Sequence, residues 1–124
     1  MRLFFLIACL LLSACDSNVL WEDNPYEVHW IDTDDNITLS IRLDNNSGTI
    51  GRVNAKVIAV GSDEKFVVAK QKDANSGSIY YYYLEKSKDN AYLNLSEITK
   101  GPFLEKEYLE LKTKLNLPDF TDHF

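Results

Sequence analysis

The sequence predicts an α+β domain: an antiparallel β-meander of five to six strands with one C-terminal amphipathic helix packed on the sheet. Three observations predict it. From Tyr26 to about Leu95, apolar residues recur at every second position, the period of half-buried strands. Clusters of Asp, Asn, Ser and Gly punctuate those runs, and no helical pattern stands between them to make parallel crossovers. After Gly101-Pro102 the period changes to that of a helix.

Residues 26–32 (YEVHWID) are the first strand, and Thr33-Asp34-Asp35 turns the chain. Residues 37–43 (ITLSIRL) alternate most cleanly. Ile37, Leu39, Ile41 and Leu43 share one face, with Thr38, Ser40 and Arg42 opposite. Residues 44–48 (DNNSG) make a strong turn. Residues 52–60 read as one continuous third strand, with Val53, Ala55, Val57 and Ala59 on a common face. Gly61-Ser62-Asp63-Glu64 then turns it into residues 65–70 as a tight hairpin. A loop over 72–77 leads to the fifth strand, 78–85 (SIYYYYLE), and residues 91–95 form a short candidate sixth.

The closing helix follows from side-chain spacing. Leu104, Tyr108, Leu111 and Leu115 fall at steps of four, three and four, which makes one apolar stripe. Pro102 suits the first helical position, and Glu105 and Glu107 suit the positive N-terminal end. Lys112 and Lys114 suit the last turn, Asn116 ends the helix, and Pro118 forbids continuation. The stripe is buried most economically against one face of the sheet. Phe120 and Phe124 equip the tail to pack back.

Ahead of this domain, Met1-Arg2 is a short positive segment, residues 3–12 are unbrokenly apolar, and Ser13-Ala14 precede Cys15. Ten apolar residues are too few to span a bilayer as a helix, which takes about 20, but they fit the apolar segment of a secretory leader. Leu12-Ser13-Ala14-Cys15 resembles the lipobox of bacterial lipoprotein precursors. That resemblance implies a diacylglycerol group on the Cys15 thiol, cleavage after Ala14 and acylation of the new N-terminus. Leu6-Ile7-Ala8-Cys9 fits the same four positions, but too little apolar sequence precedes it. The implied organisation is a signal peptide over 1–14, a lipidated Cys15 with a tether over 15–24, and a single globular periplasmic domain over 25–124. Two or more acyl chains anchor a protein stably, so the implied address is a membrane, on its periplasmic side. Asp16 resembles the signal that retains a Gram-negative lipoprotein in the inner membrane, with the outer membrane as the alternative destination.

Loss of the leader leaves 110 of 124 residues, enough for one core, and takes the formal charge from −6 to −7. An acidic domain is unsuited to nucleic acid. Cys15 is the only cysteine after the leader, so no internal disulfide forms, and thiol redox chemistry and cysteine-based metal sites are excluded.

Motifs for chemistry are sparse. No Gly-x-Ser-x-Gly, Walker loop, Gly-x-Gly-x-x-Gly or His-Glu-x-x-His pattern occurs. Asp32, Asp34 and Asn36 place oxygen ligands at alternate positions, which suits calcium. However, Ile37 stands where a calcium-binding loop needs glycine, and Leu43 where it needs a bidentate glutamate, so the segment reads as a turn. His29 lies in an apolar strand and His123 in the tail, too sparse for a metal site. The chain therefore reads as a non-enzyme without cofactor or metal. Tyr80, Tyr81, Tyr82 and Tyr83 are the most unusual feature. On a strand they alternate between faces, and an exposed pair would make a flat platform for a protein partner or glycan rings.

In its order of strands and turns, residues 26–118 resemble small uncharacterised bacterial lipoproteins. The function expected is that of a membrane-anchored envelope lipoprotein acting as a binding module for an envelope protein or a glycan. One alternative is an inhibitor or immunity lipoprotein directed at a toxin or a cell-wall lytic enzyme. In size and anchoring the chain is similar to periplasmic lysozyme-inhibitor lipoproteins, but it lacks the disulfide expected of them. A second alternative is a structural or assembly accessory of an envelope complex. A small hydrolase is the least supported.

Overall fold

The computed structural model describes residues 17–44 and 47–124. Its strands form two antiparallel sheets. The first is a meander of β1 (Ser17–Asp23), β2 (Tyr26–Ile31), β3 (Thr38–Arg42) and β4 (Thr49–Val53). The second is a meander of β5 (Val57–Ser62), β6 (Phe66–Lys72), β7 (Ile79–Glu85) and β8 (Lys100–Phe103). The short β9 (Asp122–His123) pairs on the other side of β5. Two helices complete the chain, α1 (Leu95–Ile98) and α2 (Glu105–Leu115). The α+β class and the antiparallel pairing agree with the sequence pattern. The expected single sheet of five to six strands does not: nine strands in two sheets are present among the described residues.

The division falls inside the segment that reads as one third strand. Residues 49–53 belong to the first sheet and 57–62 to the second, and the chain crosses between them at residues 54–56. The Val57 N–H donates to the Ile37 carbonyl at 2.9 Å, which fixes the crossing. Val53 and Val57 both face the core that the sheets share, with Tyr26, Val28, Leu39, Ile41, Val60, Val67 and Leu84. A strand that changes sheets while keeping its apolar side inward shows the same period-two pattern as a continuous one.

The expected tether also differs. Residues 17–23 form the edge strand β1, paired with β2 from Ser17↔Ile31 to Asp23↔Tyr26. A register shift between Val19 and Trp21 marks a bulge, and Leu20 and Trp21 both pack against the core. Burial of these apolar residues is what makes the segment part of the domain.

A second cluster gathers Phe66, Val68 and Tyr81 with Tyr108 of α2 and Leu117. Tyr108 stacks on Tyr81 with ring centroids 4.7 Å apart. Leu111 and Leu115 join the cluster half-buried, whereas Leu104 precedes the helix and stays exposed. Its N–H is bonded by Glu107 Oε1 at 3.3 Å. Asn116 adopts the left-handed conformation that ends α2, with the Leu117 N–H returning to the Lys112 carbonyl at 3.1 Å. Pro102 does not open the helix; it lies in β8 beside Gly101, whose φ of +130° suits glycine. The candidate sixth strand over 91–95 is instead a turn over 91–94 that leads into α1 at Leu95. There Asn94 N–H meets Glu97 Oε1 at 3.1 Å.

The expected turn at Gly61 and Ser62 is moved along the chain, because both residues lie within β5. A Cβ on Gly61 would stand 2.0 Å from the Asp119 carbonyl oxygen, so glycine is what lets the tail cross the sheet. Thr121 N–H then reaches the Val60 carbonyl and Phe124 N–H the Ile58 carbonyl, each at 2.9 Å. Phe124 packs on the shared core and Phe120 on the second cluster. No helix among the described residues is long and apolar enough to cross a membrane.

Candidate functional site

The β1–β2 hairpin gives the domain two ends. Ser17 and Ile31 mark one, and Asp23 and Tyr26 the other, about 20 Å away at the ordinary rise of a strand. The second sheet is tied to the first at both. Val57 meets Ile37 at the Ser17 end. At the Asp23 end, Ser62 Oγ donates to Asp23 Oδ2 at 2.6 Å and Lys86 Nζ to the same oxygen at 2.7 Å. Those two bonds, the lysine's first, hold the Asp23 carboxyl below the usual carboxylate range.

A cleft of about 300 Å³ opens at the Asp23 end, between the start of β2 and residues 86–92. Tyr26 and Asp89 line its buried side and Tyr92 its rim. Beneath it lies a charged network. The Arg52 guanidinium grips Asp89 with Nε on Oδ2 and Nη2 on Oδ1, both at 2.9 Å. The same Nη2 donates to the Asn90 carbonyl and Nη1 to the Gly51 carbonyl, each at 3.0 Å. Tyr26 Oη donates to Asp89 Oδ2 at 2.8 Å. Burial, and then this bond to a carboxylate, push the Tyr26 phenol well above its ordinary pKa. The side chains of Arg52 and Asp89 are 0% and 1% exposed. At such burial only a fully bonded pair is tolerable, and all five bonds above are made.

The network fixes the loop that carries Tyr92. Asp89 and Asn90 are held by Arg52, and Asn90 Oδ1 accepts the Tyr92 N–H at 2.9 Å. Tyr92 itself is 83% exposed, the most exposed large apolar side chain among the described residues. The cations lining the cleft are spoken for: Arg42 pairs with Glu22 and Glu27, and Lys86 with Asp23. What remains for a ligand is an aromatic face on a rigid support, the Asp44 carboxylate and peptide groups.

A second cleft, of about 250 Å³, lies at the same end, with Phe66, Tyr83, Ile98 and Leu115 as apolar walls and Lys88 and Glu97 among its charged lining. Tyr83 of the tyrosine run thus lines this cleft, half-buried against Phe103 and Phe66.

The other tyrosines make no exposed platform. Tyr81 is buried under Tyr108, and its ring also lies near Lys70 Nζ. Tyr82 turns to the opposite face and donates to Gln71 Oε1 at 2.9 Å, while Tyr80 is half-buried. Both faces of β7 are occupied, which is why neither alternating pair stands in solvent. Cys15 and Asp16, the lipidation and sorting candidates, lie outside the described residues.

Asp34–Asn36 form a 3₁₀ turn, with the Asn36 N–H on the Thr33 carbonyl at 3.1 Å. His29 is buried on the outer face of the first sheet, its Nδ1 3.1 Å from Glu27 Oε2. Glu27 Oε1 in turn accepts from Arg42 Nε at 3.1 Å. His123 belongs to β9 rather than to a loose tail.

Tyr92, Arg52 and Asp89 escape a reading of the sequence. Arg52 and Asp89 are 37 residues apart, and nothing local marks either as buried. Tyr92 falls in the run over 91–95 that reads as a candidate strand, so no local signal marks it as an exposed loop residue.

A family model described as protein of unknown function (DUF3997) matches residues 23–122. No curated protein and no solved structure matches the chain.

Proposed function

The chain belongs to that family, and within it we propose a membrane-anchored envelope lipoprotein whose domain is a binding module for a protein partner on the periplasmic side. The leader and the lipobox-like Leu12-Ser13-Ala14-Cys15 support the anchor. The binding role is carried by one observation, an almost fully exposed Tyr92 on a loop clamped from beneath by a buried ion pair. Tyrosine offers a large contact area at low entropic cost, and a rigid mount spares the ordering that binding would otherwise require. The cleft lies at the Asp23 end of β1, so a partner is met away from the end that leads to Cys15.

The test is crosslinked capture from membranes carrying the lipidated protein, read by mass spectrometry. Tyr92→Ala is expected to lose one dominant protein partner while changing stability by less than about 0.5 kcal/mol, as exposed substitutions do. Equal capture by Tyr92→Ala and wild type would remove the cleft from the proposal. Cys15→Ser is expected to leave the membrane fraction or persist as an uncleaved precursor, and an unchanged mass and fractionation would remove the anchor.

A further inference from the structure

We infer that the Ser17 end of the domain rests on the surface of the bilayer that holds its own anchor, through Val19 and Ile31. The inference relies on the lipidation of Cys15 proposed above and adds an orientation to it. The first observation is the tether, or rather its shortness. Ser17, the first described residue, already belongs to β1, so at most one residue separates the lipidated Cys15 from the sheet. Two residues span about 7 Å at full extension, which keeps the end of β1 at the headgroups whatever the domain does.

The second observation is what that end exposes. Val19 pairs with His29 and Ser17 with Ile31, so Val19 and Ile31 are diagonal neighbours on the outer face of the first sheet. They are 51% and 52% exposed, and they line one shallow depression of about 190 Å³. Two half-exposed aliphatic side chains would not hold a free protein to a membrane. A lipid anchor already concentrates them there, so a weak contact suffices to select one orientation.

The charge at this end sets the lipid preference. Asp32, Asp34 and Asp35 are all exposed beside Ile31, and Lys56 is the cation that stands near them, 3.8 Å from Asp35. Anionic headgroups repel such an end, so the contact is apolar and favours zwitterionic lipid. In this pose the Tyr92 cleft, at the other end of β1, faces away from the membrane.

The test uses the lipidated full chain in phosphatidylcholine vesicles carrying brominated acyl chains, which quench nearby tryptophan. Trp30 packs toward the shared core, so Thr33→Trp, at an exposed position two residues past Ile31, is made the sole reporter by Trp21→Phe and Trp30→Phe. Quenching is expected, and the added pair Val19→Asp and Ile31→Asp should at least halve it while the protein still pellets with the vesicles. Replacing half of the lipid with phosphatidylglycerol should lower the quenching, and added salt should restore it. A protein that pellets with the correct lipidated mass yet shows no quenching, or equal quenching with both aspartates, would overturn the resting pose and leave the anchor standing. A protein without lipid mass would fail earlier, at the anchor itself. The aspartates replace exposed side chains, and an unchanged melting curve shows that the fold survives them.

Discussion

The guanidinium of Arg52 on β4 and the carboxylate of Asp89 beyond β7 meet in a two-pronged ion pair sealed inside the domain. Through that pair the first sheet holds the loop that leaves the second. Arg52→Met strands a buried carboxylate and is expected to cost about 3–5 kcal/mol in urea unfolding. The Tyr92 loop should also loosen, seen as faster hydrogen exchange at the Tyr92 amide. A loss below about 1 kcal/mol would mean that the pair is not sealed in solution.

Two buried phenols should respond oppositely to loss of their hydroxyl. Tyr26 Oη donates to Asp89 at 2.8 Å, so Tyr26→Phe is expected to destabilise by about 1.5–3 kcal/mol, the range for a bond to a charged group. Tyr108 Oη is buried without a partner among the described residues. Tyr108→Phe removes an unsatisfied group and is expected to be neutral or to stabilise by about 1 kcal/mol. Thermal melts of both variants decide it.

Strong acid should undo the Asp23 clasp. Lys86 and Ser62 hold the folded carboxyl below its ordinary value, so its stabilisation is full above the unfolded value of about 3.9. It is lost as pH falls through the lower folded value. Asp23→Asn should therefore be less stable than wild type at neutral pH, with the gap closing in strong acid. A gap independent of pH would contradict the clasp.

Gly61→Ala should push the tail off the sheet, because the new Cβ falls on the Asp119 carbonyl. A loss of about 1–3 kcal/mol is expected from such overpacking. Exchange at the Thr121 and Phe124 amides, which bond to Val60 and Ile58, should quicken ahead of the core.

Local chemistry was readable in the chain, and long-range closure was not. Ile37, Leu39 and Ile41 alternate in the sequence and are buried together, and Asn116 ends α2 where its residue type and Pro118 place the stop. The division into two sheets left no trace, since Val53 and Val57 keep the same inward side across the crossing. β1 reads as a tether because its three apolar residues are consecutive rather than alternating and it is joined to an apolar leader, although Leu20 and Trp21 have a core to enter. Strand periodicity showed that the four tyrosines alternate but could not show that both faces of β7 are occupied. The Tyr92 cleft depends on a pair 37 residues apart, a distance that no local pattern encodes.

The most direct test places a photo-crosslinking side chain at one position at a time in the lipidated protein, in native membranes: at Tyr92, at Ile31 and at Leu109, which is exposed on α2. The account predicts one dominant protein adduct from position 92, lipid adducts from position 31, and no dominant adduct from position 109. A protein adduct from position 31 or 109, with none from position 92, would contradict it.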